Sequence, residues 1–519
     1  MASTIGDWVA ATPRHRAFEY YTASPVAATA GSGRGGMLEA SQPRLPVMSL
    51  SRMLLYAAIL AIGQAVLDAG PAIVAEREGG MGLGSALIAA LVTQIAGIVL
   101  GATLAGYVVD RRSPAAAMLA GAYLYYVGLM ATGIAPMGSL GTVVAGMGIG
   151  GAGFGAMLTA AFAVAATIDA PRTRAAAVVL LLTAPIVARA VVGAAFGAGP
   201  VALLLGGAAV VGLAVVAVRV TGHTPRRVAA PDDPAAAPLR SAVAATGLGV
   251  VLAIGAVFAV AGADPSRLSA SLIAGIVGMG GFDTIDTARP VLFGIGAALL
   301  LTGAVALLAR ADRTVRVAVP GLLLAGISGS GIAATLTQAS LAGRLPDATA
   351  ALMAAATTIG GLIGLALGGT LLARGLDRRR PAIIGSASLA AACALGWLTL
   401  LGQRPEPGAL VPIILVGVAA LALGLVASAL RLALAEVDAR QLGLAAGAGV
   451  VAAVLGSALG GLIGAGEGLN TLDGEARDIA VGLIGFVVAA AAAVAVVAAL
   501  PVRPGKRPAG EDRLSQPPR

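Results

Sequence analysis

The chain has 519 residues, of which 58% are hydrophobic and 11% are charged, whereas a soluble domain carries about 25% charge. That excludes an ordinary soluble protein. The net charge of +9 reads as basic loops on one side of a membrane rather than as a nucleic-acid footprint. The single cysteine, Cys393, lies within an apolar run and excludes an intrachain disulfide.

Residues 1–49 are polar, with Gly, Ser and Pro scattered through them, and are expected to form a disordered cytoplasmic tail. A bilayer core takes about 20 apolar residues per helix. The chain then offers fourteen such runs, near 52–75, 83–108, 114–134, 139–166, 175–196, 199–218, 241–262, 290–309, 317–341, 350–373, 381–401, 409–431, 442–465 and 479–500. Residues 501–519 read as a second cytoplasmic tail. Arginine placement sets the orientation. With the N-terminus inside, the inner segments hold 27 of the 34 Lys and Arg residues, and the outer loops hold Arg77, Arg267, Arg289, Arg344, Arg404 and Arg477. Cytoplasmic loops collect Lys and Arg in this way. The predicted location is the cell membrane, multi-pass, with both termini cytoplasmic.

Two loops repeat. LGATLAGYVVDRRSP (100–114) and LGGTLLARGLDRRRP (367–381) agree at eight of fifteen positions, including D-R-R-x-P. The first copy follows the second span and the other follows the tenth. If they occupy equivalent places, six spans are followed by two inserted ones and then by six more. Parallel repeats related about the membrane normal are a transporter design. The predicted fold is all-α, polytopic, 6+2+6, with two pseudo-symmetric six-helix bundles. The expected units are a bundle over 50–220, a cytoplasmic linker with two inserted helices over 221–312, and a bundle over 313–500. Ser113-Pro114 is expected to start the third helix, Ser as N-cap and Pro in the first turn.

These residues resemble the major facilitator superfamily, whose loop signature between helices two and three is roughly G-x-x-x-D-R-x-x-x-R. Gly106, Asp110 and Arg111 match it; position 115 is Ala. The 6+2+6 layout resembles the fourteen-span drug/proton antiporter branch. LDAGPAIVAE from Leu67 places Asp68 in that branch's first-span segment, and LTQASLAGRLPDATAAL (336–352) is similar to the start of its C-terminal half. VVAGMGIGGAG (143–153) lacks the branch's fourth-span Arg and Gln, and APIVARAVVGAA (184–195) replaces its fifth-span signature. The resemblance implies a gating role for Gly106, Asp110, Arg111 and Arg112, and by repeat for Asp377, Arg378 and Arg379. Topology anchoring alone is the alternative.

Two charges fall clearly inside spans, Asp68 and Arg189. At about 1.5 Å per residue both sit about 22–24 Å from the inner end, so an ion pair is expected, either switchable or structural. Gln64, four residues before Asp68, shares its helix face. Gln94 and Gln338 are candidate cavity-lining groups; Ser328 and Thr335 share the face of Gln338. Gly146, Gly150, Gly151 and Gly155 are read as a helix-packing stripe, and Tyr123, Tyr125 and Tyr126 as lipid-facing or packing residues.

No catalytic triad, metal set or phosphate loop can be built, since both histidines, His15 and His223, lie in cytoplasmic segments and the single lysine is Lys506. The expectation is no enzyme, no cofactor, no metal and no nucleic acid. The expected partners are a small-molecule substrate, protons and the lipid bilayer, with the chain a monomer. The reading is a secondary transporter, proton-coupled and exporting a hydrophobic or amphipathic small molecule. The alternatives are an uncoupled facilitator or importer, and a membrane scaffold or sensor. The orientation predicts that cysteines introduced as Arg112→Cys and Arg404→Cys in a Cys393→Ser background react with an impermeant thiol reagent from opposite faces of the membrane. Labelling of both from one face would overturn it.

Overall fold

In a computed structural model, residues 50–70, 83–135, 140–191, 200–221, 237–263, 285–309, 311–340, 348–401, 410–438, 441–470 and 476–501 are described. The tail expected over 1–49 and nearly all of that over 501–519 lie outside these residues, as do parts of most loops. Among the described residues the long elements are all helices: α1 (Leu50–Asp68), α2 (Leu83–Arg111), α3 (Pro114–Ile134), α4 (Leu140–Ala166), α5 (Pro171–Val191), α6 (Pro200–Thr221), α7 (Ala237–Ala263), α8 (Ile285–Leu308), α9 (Arg313–Ala339), α10 (Ala348–Ala373), α11 (Arg379–Leu401), α12 (Leu410–Leu434), α13 (Leu442–Asn470) and α14 (Ala476–Ala498). Each falls on one of the fourteen apolar runs. Twelve are long and apolar enough to cross a bilayer, and α7 and α14 carry shorter apolar segments, Ala244–Ala259 and Ile484–Ala498. The chain is a multi-pass membrane protein.

The local chemistry sets the ends. Ser113 is the N-cap of α3, its hydroxyl accepting the Ala116 N–H at 3.2 Å, with Pro114 in the first turn. Asp312 caps α9 by accepting the Thr314 N–H at 2.7 Å. Helix α10 stops at Gly375, where φ is +85°. The N–H groups of Leu376 and Gly375 turn back to the carbonyls of Leu371 and Leu372, a closure that needs a residue tolerating a left-handed φ.

Helices α1–α6 pack among themselves, and α9–α14 do the same. Between the two sets, α2 meets α13, α5 meets α10, α4 meets α13 and α5 meets α12. Exchanging each helix for its counterpart in the other half converts α2–α13 into α10–α5, and α4–α13 into α12–α5, the pattern of a two-fold pseudo-axis along the bilayer normal. The inserted helices α7 and α8 pack on each other, and α7 leans on both α2 and α13.

Within the first half, α4 is the central packing element. Gly146 lies against α3 at Gly128, while Gly151 and Gly155 lie against α2 at the carbonyls of Gln94 and Ile98. A Cβ on Gly155 would sit inside the van der Waals radius of the Ile98 oxygen, so the stripe is a packing device, as small residues are between membrane helices. Tyr125 is buried and donates to the Gly63 carbonyl at 2.7 Å, tying α3 to α1, while Tyr123 is 64% exposed on the outer face. Gly155→Val is expected to destabilise the solubilised protein by about 1–3 kcal/mol through overpacking. Gly212→Ala, where nothing lies within 4 Å, should leave the thermal midpoint unchanged. Detergent-phase melting curves of the two variants compare them.

Candidate functional site

The arginine-rich end of the bundle carries the described charges that join the halves. Asp110, at the end of α2, reaches the first turn of α13. Its Oδ1 accepts the Gly443 N–H at 2.6 Å and its Oδ2 the Leu444 N–H at 3.0 Å. A carboxylate at this position satisfies two amides that the helix cannot satisfy itself, and meets the positive end of its dipole. Two glycines permit the approach. A Cβ on Gly106 would lie 2.7 Å from the Gly443 carbonyl oxygen, and a Cβ on Gly443 would lie 2.8 Å from the Asp110 carboxyl.

The second loop does something different. Asp377 Oδ1 accepts the Arg379 N–H at 3.3 Å, so it caps α11 within its own half. The corresponding seam lacks the glycines. Position 373 of α10 is Ala where α2 has Gly106, and the second residue of α5 is Arg172 where α13 has Gly443. Arg378 instead forms an ion pair with Glu436. Glu436 also draws Arg174 of α5 to 3.8 Å across the halves, while the Arg174 Nε donates to the Ile168 carbonyl at 2.7 Å and fixes the α4–α5 connection. The acid therefore bridges an arginine from each half. Arg379 has a buried Nε with no hydrogen-bond partner. Arg111 lies 5.9 Å from the Tyr107 ring centroid, and Arg112 is exposed.

Arg431, the last residue of the apolar run over 409–431, lies in the last turn of α12 and is 6% exposed. The apolar Leu432–Leu434 that follow it carry the helix onward and bury it; that continuation was the available signal. Its guanidinium carbon sits 4.5 Å over the Phe162 ring of α4, another contact between halves. At the C-terminal end of α12 its charge also meets the negative end of the helix dipole, and a cation–π contact contributes about 0.5–2 kcal/mol.

Deeper in the bundle, Gln64 Nε2 donates to Asp68 Oδ1 at 2.9 Å, both half-buried on α1. Helix α5 packs beside α1, but the Arg189 side chain lies outside the described residues, so the expected pair is not part of the described geometry. Gln94 is buried on α2, with its backbone against Gly151 of α4. Gln338 is half-buried on α9. Ser328 and Thr335 bond to their own helix, at the Leu324 and Gly331 carbonyls. Among the described residues no group of His, Cys, Asp and Glu is placed to hold a metal.

The arrangement has the form of solved transporters. The human organic anion transporter MFSD10 superposes with a TM-score of 0.58 at 16% identity, covering 86% of this chain and 98% of its own. A bacterial homologue of the iron transporter ferroportin, in an outward-facing state, gives 0.56 at 12% identity over 86% and 98%. The proton:xylose symporter XylE, bound to 6-bromo-6-deoxy-D-glucose, gives 0.54 at 14% identity over 87% and 96%. No family model matches the sequence, and no curated protein matches it. The chain has the major facilitator fold.

Removing the Asp110 carboxylate deprives two helix-end amides of their acceptor, a loss of about 1 kcal/mol, or about fivefold in any equilibrium that parts this seam. Asp110→Ala is therefore expected to raise, about fivefold, the rate at which a thiol introduced as Ala446→Cys reacts with a water-soluble reagent. An unchanged rate would show that the contact does not hold the seam.

Proposed function

We propose that the chain is a secondary transporter working by alternating access, with the cluster of Asp110, Arg174, Arg378 and Glu436 as its cytoplasmic gate. The observation that carries this reading is the Asp110 carboxylate, which belongs to one half and caps a helix of the other. Such a contact exists only while the halves are together at that end, so it distinguishes two states, as a gate must. Arginine-rich ends face the cytoplasm. On this reading both termini are cytoplasmic, the protein is a monomer of the cell membrane, and the units are the bundles over 50–220 and 313–500 with the segment 221–312 between them. Gly106 keeps the seam close, and Arg111 and Arg112 anchor the loop at the membrane surface, as Arg379 does in the second copy.

The direction we propose is export of a hydrophobic or amphipathic small molecule coupled to protons, as in the fourteen-span drug/proton antiporters. The bundle interior is mostly Ala, Gly, Leu and Val, with few polar groups, which suits an apolar body better than a sugar. Asp68 is the proton-responsive carboxylate, held by Gln64 and opposed by Arg189 on the adjacent helix. Gln94 and Gln338 contribute to the cavity. An uncoupled facilitator is favoured by one observation, the absence of an arginine from 143–153 in α4.

Proteoliposomes loaded with ethidium or carboxyfluorescein separate the readings. Antiport predicts dye efflux accelerated by an imposed proton gradient, with protons moving the other way, and predicts that Asp68→Asn loses the acceleration while retaining downhill exchange. Dye movement indifferent to the gradient would establish a facilitator instead. Coupled efflux at wild-type rate in Asp68→Asn would remove Asp68 from the mechanism.

A further inference from the structure

Arg431 stands apart from the ion pairs of the proposed gate. Glu436, the nearest acid along the chain, is engaged by Arg174 and Arg378. Among the described residues Arg431 has no hydrogen-bond partner at Nε or at Nη1, although the residue is 94% buried, being 6% exposed. Nη1 packs against the backbone of α13 at Gly449, where a Cβ would lie 2.7 Å from it. Among the described residues the side chain set against its charge is the Phe162 ring of the opposite half. An ionised side chain inside a membrane protein is costly to keep and marks a pathway or a ligand by default. A leucine would fill the same space without a charge to satisfy.

Arg431 opens into a small pocket walled by Phe162 and Ala166 of the first half and by Leu434, Leu442 and Ala446 of the second. Those walls are apolar. In the closed arrangement the pocket is no larger than a water molecule. Separation of the halves would carry Phe162 away and leave the guanidinium facing a widened apolar space. A planar guanidinium binds carboxylates, phosphates and sulfonates through paired N–H donors, and does so strongly where water is excluded.

We propose that Arg431 is an anion-recognition residue: in the state where the halves part at this end, it binds the anionic head group of an amphipathic organic acid whose compact apolar body rests against the walls of the Phe162–Leu434–Ala446 pocket. The proposal rests on the alternating-access reading and narrows its substrate class. Closing the gate then exchanges the anion for the Phe162 ring, so the charge has a partner in each state.

Equilibrium binding tests it without reference to flux. Purified protein in phosphatidylcholine nanodiscs, which supply no anionic lipid, is titrated with benzoate, benzenesulfonate and phenyl phosphate, and with benzamide as the neutral counterpart. At least one of the anions should bind saturably where benzamide does not. Arg431→Gln should weaken that binding by at least about tenfold, and Arg431→Lys, which keeps the charge but loses the fork, by less. If Arg431→Gln does not fold, Arg431→Lys decides: binding of wild-type strength there overturns the proposal. So does binding that Arg431→Gln leaves intact, or the absence of binding by all three anions. Displacement of the bound anion by added phosphatidylglycerol would assign the site to a lipid head group and overturn the substrate reading. Anion binding without flux in the proteoliposomes would sink the transporter reading and keep the site; flux without anion binding would do the reverse.

Discussion

A peptide group in hydrocarbon has no water to bond to, and this constraint decides most of what the chain does. Helices satisfy it along their length but leave their first amides and last carbonyls open. In this protein the open ends at the arginine-rich face are closed by side chains: Ser113 for α3, Asp312 for α9, Asp377 for α11 and Asp110 for α13. Three of these caps are local. The fourth is supplied by the opposite half, and a routine requirement of helix ends becomes there a bond between the two halves.

Close packing in lipid works through contact rather than through expulsion of water. That explains why glycine is the tool at the seams. Gly155 lets α4 reach the backbone of α2 within one half, and Gly106 with Gly443 does the same between halves. The first contact holds a bundle together. The second brings a carboxylate within hydrogen-bond distance of a helix end, and the proposed gate depends on it.

Length, hydropathy and arginine distribution made the fourteen helices and the paired-bundle fold legible, because each span satisfies its backbone within itself and can be read alone. The repeated D-R-R-x-P singled out Asp110, although its two amide partners lie more than 300 residues away in sequence and no local pattern reveals them. The same repeat suggested equal roles for Asp377, and there the structure shows a cap within one half. Gly106 and Gly443 stand at one seam where Ala373 and Arg172 stand at the other, four positions that can be compared only when α2 is laid on α13 and α10 on α5. The run over 409–431 stops at Arg431, whereas the helix continues through the three apolar residues beyond it. The bridging role of Glu436 depends on the register of two halves and had no sequence signature.

The inequality of the two seams has a consequence for the resting molecule. With the pseudo-axis along the bilayer normal, both seams lie at the same end of the bundle, so two interchangeable copies would place two interlocking caps there. Here one seam carries such a cap and the other does not, so in the proposed transport cycle a single carboxylate cap weighs against parting of the halves at that end. A ligand then shifts the balance only by as much as it favours the opposite posture. In the proposed cycle, that end then opens by breaking one such cap rather than two.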